Sequence, residues 1–365
     1  MECYYTTLLW YLGLLIISYS FASAAEYTHY ISKKKKLFFL SYLTVLLFCV
    51  FRFFVGNDYS GYYDGFNLIQ FYEENVMLWE PGFYLLNRLF SYSDIGYIYT
   101  IGISSFITIT FLFLAVWNEG NLKYGVFCII SLGLLIFVND VIRQGIALSI
   151  CLWSTKFLKT DDKLIFVIFV LMASLFHFTS IVFLGALLIK KINIPTYVWF
   201  LLLFIVIGLQ LSGFALKTYK LIMSYVPMYG EAYLEKDNYN TTQRIGLSIL
   251  FNYILAFPFI FNINKIKEDR ALVNLYLCGL LIRGLFFGFL TFERIGMYFY
   301  AAQILIYPKF LKNYSLRRLL MIIVSIYFSL QSFLALEKHG AVPYRTLFYE
   351  NLETPRYDRS DQEKN

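Results

Sequence analysis

The chain has 365 residues, of which 59% are hydrophobic and only 15% charged, with a mean hydropathy of +0.60. Soluble domains are nearer ~45–50% apolar and about a quarter charged, so this chain cannot cover a globular surface with polar groups, and lipid must do the covering. The net charge of +7 is spread over short loops between apolar runs, which is a topology signal and not the basic patch of a nucleic-acid binder. The cysteines (Cys3, Cys49, Cys128, Cys151, Cys278) lie in or beside apolar runs without C-x-x-C spacing, as small core residues do. With three scattered histidines, the composition gives no sign of a metal site or a cofactor.

Taken in order, the first apolar run, 4–22, ends near Ala22-Ser23-Ala24, a cleavage-like triplet. No Lys or Arg precedes Leu8, however, and Lys33-Lys34-Lys35-Lys36 follow the run. This is the charge order of an uncleaved anchor with its N-terminus outside. Further runs at 37–55, 95–117, 123–138, 141–158, 196–212, 245–262, 271–290, 294–309 and 317–336 approach the ~20 residues that cross lipid. Segment 164–189 would make one helix of ~39 Å, long for one crossing and short for two.

Charge decides how to read that segment. As a hairpin with its tip at His177, it leaves the Lys33–Lys36 loop, Lys123, the Lys156–Lys163 loop, Lys190 and Lys191, the 265–270 loop and the basic loop after Lys309 on one face. The opposite face keeps far fewer cations, among them Arg88, Arg143, Arg244 and Arg294. The positive-inside rule therefore predicts an all-α, polytopic membrane protein with about 12 transmembrane helices and both termini outside. The expected organisation is one membrane domain over 1–336 and a polar extracytoplasmic tail over 337–365. Two outer loops stand out: acid-rich 56–94 and tyrosine-rich 213–243. The inner loops have no room for a nucleotide-binding domain, and no G-x-x-x-x-G-K-[ST] is present, so no ATP chemistry is visible.

Ionisable groups at or in a membrane bundle are costly and mark candidate sites. Arg52 precedes Gly56-Asn57-Asp58-Tyr59; Arg143-Gln144 open a helix after Asn139-Asp140; His177 sits at an outer turn; Arg283 interrupts an apolar segment; Glu293-Arg294 open the next. The topology puts Arg52, Arg143, His177, Arg244 and Arg294 near the outer leaflet, with Asp58, Asp140 and Glu293 at the same level. Converging guanidinium groups suit a diphosphate, a neighbouring carboxylate or histidine can take a hydroxyl proton, and aromatics such as Tyr59, Tyr62, Tyr63, Trp79 and Tyr84 can stack on sugars. Simpler roles exist for each. Interfacial aromatics form belts in most membrane proteins. Arg52 and Arg283 can snorkel or pair with a helix end. Arg143 opposes the dipole at a helix N-terminus, and Asp140 is a ready structural partner for it. A histidine in an apolar stretch is often a packing residue.

The same residues carry a resemblance. Phe51-Arg52-Phe53 followed by Val55-Gly56-Asn57-Asp58-Tyr59 and Tyr62 resembles the opening signature of the EpsG family of bacterial exopolysaccharide proteins. Glu80-Pro81-Gly82-Phe83 with Leu86-Asn87 follows, then Arg143-Gln144 with Ala147, similar to that family's R-Q-x-x-A helix start. Ala173 and Leu175 to Ser180 are similar to its histidine hairpin, Glu293-Arg294-Ile295 with Tyr298-Phe299 and Pro308 to its late arginine helix, and Val342-Pro343-Tyr344 to its C-terminal end. The likeness runs from about residue 45 to residue 348.

The resemblance implies a relative of the Wzy-type polymerases. These join oligosaccharide repeat units carried on undecaprenyl diphosphate at the outer face of the bacterial cytoplasmic membrane, without metal or other cofactor. On that expectation the catalytic residues are Arg143 and Arg294, which neutralise the diphosphate, and His177 or Asp58, which acts as general base on the acceptor hydroxyl; Arg52, Arg244, Gln144, Glu293, Tyr59 and Glu80 are the expected contacts to diphosphate or sugar. The expected partners are the lipid-linked oligosaccharide, membrane lipid, and a chain-length regulator and flippase of the same pathway, with no nucleic acid. Three other readings fit a polytopic bundle: a flippase for lipid-linked oligosaccharide, a glycosyltransferase using polyprenyl monophosphate sugars with metal at Asp58 and Asp64, and an O-acyltransferase centred on a histidine.

Overall fold

A computed structural model describes residues 2–71, 79–225, 247–264, 268–313, 336 and 339–348. Within these the chain is helical, with no strand and one isolated antiparallel bridge between Arg52 and Thr346. Apolar segments in lipid must satisfy their own backbone groups, which helices do. By length and composition, two described helices are fit to cross a membrane, Tyr4–Tyr27 and Gly96–Glu119. The number reaches up to four if the bent pairs Leu122–Ser131 with Leu134–Asp140 (56°) and Thr196–Leu211 with Phe214–Met223 (73°) each count as one.

The apolar runs are cut more often than hydropathy reveals. Gly133 (φ +75°) and Gly213 (φ +73°) take left-handed backbone that ends a helix and that glycine adopts without steric cost. The run 294–309 is divided by a turn at Ala301-Ala302. Most of the run 317–336, most of the loop 213–243 and Arg244 lie outside the described residues. The 56–94 stretch contains two helices, Tyr59–Phe71 and Pro81–Phe90.

The chain forms two compact units. One comprises 1–149, 175–177 and 328–365, the other 150–174 and 178–327. The division falls inside the span expected as one domain, and residues 339–348 of the expected tail pack within the first unit.

In the first unit, α1 (Glu2–Tyr27) pairs with α2 (Ile31–Val50). The Ser41 hydroxyl donates to the Ser18 carbonyl at 2.8 Å. At one end, Lys123 meets the Tyr27 hydroxyl at 2.7 Å and the Glu26 carboxylate at 3.8 Å, and Lys34 lies over the Trp117 ring. Loops 26–34 and 117–123 thus share an end. At the other end, a strap formed by 339–348 runs along residues 51–57. Phe53 N donates to Arg345 O (3.0 Å), Leu347 N to Phe51 O (3.0 Å) and Gly56 N to Gly340 O (2.9 Å). Tyr344 stacks on Phe48 at 4.2 Å, donates its hydroxyl to Phe48 O, and donates its amide to Thr7 Oγ1 at 2.9 Å.

Arg52 locks this end. It is 2% exposed, and its guanidinium donates to Cys49 O (2.5 Å), Ser105 Oγ (2.6 Å) and Asn139 O (3.4 Å). A buried charge is tolerated when fixed acceptors replace water, and here it joins α2, α5 (Gly96–Glu119) and α7 (Leu134–Asp140).

In the second unit, α9 (Lys163–Ser174) is followed by a 3₁₀ stretch, Phe178–Gly185, and the short α10, Ala186–Ile189. Lys190 reaches Asp161 at 2.5 Å and the Leu158 carbonyl at 3.3 Å, so the segment returns to where it began. This is the hairpin that the charge pattern requires. Each arm is short: twelve helical residues rise ~18 Å against a hydrocarbon core of ~30 Å. Asp269 binds Lys159 at 3.2 Å and also Lys309, and Arg270 donates to Ile194 O. The lysine-bearing loops of this unit therefore meet at one end too.

Two further helices, Arg270–Leu285 and Leu290–Tyr300, pack closely because a Cβ on Gly279 would collide with the Tyr300 backbone. Tyr276, Tyr300 and Tyr307 form a buried chain there: Tyr300 donates to Asn252 Oδ1 at 2.7 Å, and the Tyr276 and Tyr307 hydroxyls are 3.0 Å apart.

Gly279→Val forces these two helices apart, and we expect a loss of about 1–3 kcal/mol, measured as a lower midpoint of thermal unfolding in detergent. Arg52→Met removes the three bonds that the guanidinium donates and is expected to cost about 1–3 kcal/mol, since Ser105 keeps its bonds to Ile101 O and Cys49 O. An unchanged midpoint for Arg52→Met would mean that the arginine is not the clamp described.

Candidate functional site

The site grows from three chain breaks in the first unit. Glu80 sits at the N-cap of Pro81–Phe90, held extended (φ −58°, ψ 149°) by the proline at the first helical position. Arg143 is the second residue of α8 (Ile142–Lys159), directly after the non-helical Val141 (φ −98°, ψ 72°). His177 follows α9 at the hairpin tip. The Gly82 amide donates to the Leu175 carbonyl at 2.8 Å, and a Cβ at Gly82 would stand only 2.8 Å from that same oxygen. A glycine is therefore required where the tip docks.

These pieces converge on one carboxylate. Glu80 Oε2 accepts from Arg143 Nη1 at 2.5 Å, and Glu80 Oε1 lies 2.9 Å from His177 Nδ1. The Tyr62 hydroxyl also interacts with the Arg143 side chain. Arg143 is 26% exposed, His177 20% and Glu80 17%, so the cluster is sheltered but reachable. Burial works against ionising Glu80, but the His177 hydrogen bond and the Arg143 charge outweigh it and pull its pKa down to about 2. Among the described residues, the buried Nε of Arg143 has no hydrogen-bond partner. The side chain as a whole stays about a quarter exposed, so its guanidinium can meet an additional oxyanion.

A second pair lies one helical turn away. Tyr62 N donates to Asp58 O, so Asp58 and Tyr62 are successive on one face. The Asp58 amide donates to Asp140 Oδ1 at 3.1 Å, and Asp140 Oδ2 lies 2.7 Å from His339 Nδ1. Asp140 is 4% exposed. The close approach rests on Gly56 (φ +115°), where a Cβ would press on the Asp140 and Asn139 backbone, and on Gly340 (φ +60°), where it would press on Asn57.

Of the residues singled out from sequence, Glu80, Arg143 and His177 come together. Gln144 is buried beside Arg143. The structural pairing of Arg143 with Asp140 does not form: the kink at Val141 separates them, Arg143 turns to Glu80, and Asp140 binds the Asp58 amide and His339. Arg52 is enclosed by protein acceptors. Tyr59 is 1% exposed and packed on Phe54, and Tyr62 and Trp79 pack against Phe83, so these rings serve the interior. In the second unit, Glu293 binds Arg283 at 2.9 Å, and Arg283 lies over the Tyr300 ring. Arg294 is the next residue, half-buried and ~100° further round the helix. Sequence reasoning passed over His339, treating it as part of a polar tail. The adjoining Gly340 and the Val342-Pro343-Tyr344 triplet were the available signals that this stretch is ordered.

Residues 35–346 match the EpsG family. No curated protein and no solved structure matches the chain. The matched span takes in the 51–58 loop, Glu80, Asp140, Arg143, His177, Arg283, Glu293, Arg294 and all but the last residues of the strap. With its apolar helices, and with by far the greater part of its length inside that match, the protein belongs to the EpsG family of exopolysaccharide-related membrane proteins.

Proposed function

We propose that the protein is a repeat-unit polymerase, a glycosyltransferase that joins oligosaccharides carried on undecaprenyl diphosphate at the outer face of the cytoplasmic membrane. The carrying observation is the shared Glu80 carboxylate, which aligns Arg143 and His177 while both stay partly exposed. Arg143 neutralises the donor diphosphate, and its fixed guanidinium favours the charge that builds on the leaving group; Arg294 is kept as a further catalytic cation on its family motif alone. His177, on the same carboxylate, completes the anion-facing wall. The sugar–diphosphate bond supplies the driving force, so the reaction needs no nucleotide. The acid-rich 56–94 stretch lies on the side from which the oligosaccharide arrives.

The membrane reading that accompanies this is a multi-pass bundle of about 12 crossings. Its support is the gathering of lysine-bearing loops at one end of each unit, as the positive-inside rule requires of the cytoplasmic face. In the first unit, Glu80, Asp140 and Arg143 belong with loop 51–58 and the strap, away from that end. The pathway partners are a flippase that delivers the lipid-linked unit and a regulator of chain length.

Two measurements test the reading. A deletion strain is expected to display single repeat units in place of long polymer; loss of all surface glycan would point to a flippase. Arg143→Lys and Arg294→Lys, each in the complemented strain, are expected to shorten the polymer and to reduce turnover by about 10²–10³, because a point charge does not replace a planar fork. Wild-type polymer length in both variants would remove the diphosphate clamp.

A further inference from the structure

We infer that His339, held by Asp140, is the proton acceptor of the transfer reaction, receiving the proton of the attacking sugar hydroxyl; this rests on the polymerase reading above. Two histidine–carboxylate pairs stand in the first unit, and their surroundings differ. The Glu80 carboxylate of the His177 pair is also bound to Arg143, which assigns that pair to the diphosphate. The Asp140 carboxylate of the His339 pair has one oxygen on a neutral backbone amide, that of Asp58, and the other on the imidazole. A carboxylate on Nδ1 fixes the tautomer with the proton on that nitrogen and leaves the Nε2 lone pair as acceptor, the arrangement of an oriented general base.

The position fits as well. Asp140 is buried and immobile, whereas the His339 side chain is 24% exposed. The Phe137 ring meets the imidazole edge-on at 6.3 Å. The backbone bonds Gly56 N to Gly340 O and Asn57 N to His339 O fix His339 on the 56–58 loop, one turn of helix from Tyr62 and hence from Arg143. The two pairs thus supply an anion site and a base from neighbouring segments of the first unit.

The transfer balances with these groups. The acceptor hydroxyl gives its proton to His339 Nε2, and its oxygen lone pair forms the new bond to the anomeric carbon of the lipid-linked donor. The bond from that carbon to the diphosphate oxygen breaks, and its electron pair leaves with the undecaprenyl diphosphate held by Arg143. The imidazolium then returns its proton to water.

The test uses the full-length protein in liposomes with undecaprenyl-diphosphate-linked repeat units. His339→Asn keeps a donor for Asp140 but removes the accepting nitrogen. Its kcat is expected to fall about 10²–10⁴-fold with KM for the donor unchanged, and imidazole added to His339→Ala is expected to restore part of the rate. If His339→Asn does not accumulate in the membrane, His339→Gln is read in the same way. A wild-type kcat per molecule, a change confined to KM, or a loss of rate in His339→Ala that imidazole leaves untouched would overturn the assignment. If wild-type protein itself fails to polymerise diphosphate-linked units, the polymerase reading falls, and His339 falls with it for that separate reason.

Discussion

Glu80 divides one carboxylate between an arginine and a histidine, and the functional end of the first unit is arranged around that division. A carboxylate in a sheltered, low-dielectric position must be met by donors on both oxygens, or it will take up a proton. Glu80 is met by Arg143 from the start of one helix and by His177 from the tip of a hairpin. Three segments far apart in sequence are fixed by a single side chain, and Pro81 and Gly82 beside it set the backbone and admit the tip. The arginine is oriented by protein yet keeps about a quarter of its side chain exposed. Arg52 illustrates the opposite fate: enclosed by protein and bonded to Cys49, Ser105 and Asn139, it is a rivet. Two arginines that look equivalent in a hydropathy trace are separated by what their neighbours offer.

Much of this was legible in the sequence, for identifiable reasons. The distribution of lysines read 164–189 as a hairpin, and the ion pair between Lys190 and Asp161 closes that hairpin at its base. The order of the short motifs brought out Glu80, Arg143 and His177. What escaped were features that depend on tertiary context. Glycines with positive φ and a two-alanine turn break long apolar runs into short helices, which a window average cannot detect. Tyr59 and Tyr62 look like part of a sugar platform until their burial is known. Nearness in sequence offers Asp140 as a structural partner for Arg143, whereas one non-helical residue between the two helices turns the side chains apart.

The second unit shows how little polar material a membrane bundle needs to fix its internal geometry. The Arg283–Glu293 pair, the ring of Tyr300 under the guanidinium, and the hydroxyls of Tyr276, Tyr300 and Tyr307 connect helices that are otherwise largely apolar in sequence. Lipid offers no hydrophobic drive for helices to associate, so close backbone approach at small residues and a few satisfied hydrogen bonds carry specificity. Gly279 and Gly296 perform the first task, with Tyr300 and Arg283 respectively against them.

The strap of residues 339–348 has a bearing on how such a chain is made. It supplies His339 to the Asp140 carboxylate and backbone acceptors to residues 53–57, and it leaves the ribosome only after both. A nascent chain halted before this stretch has made the helices on which the strap lies, yet Asp140 has no imidazole beside it and the 53–57 amides lack their carbonyl partners. Assembly of this end therefore has a built-in order, in which the two walls are laid down first and the segment that ties them follows.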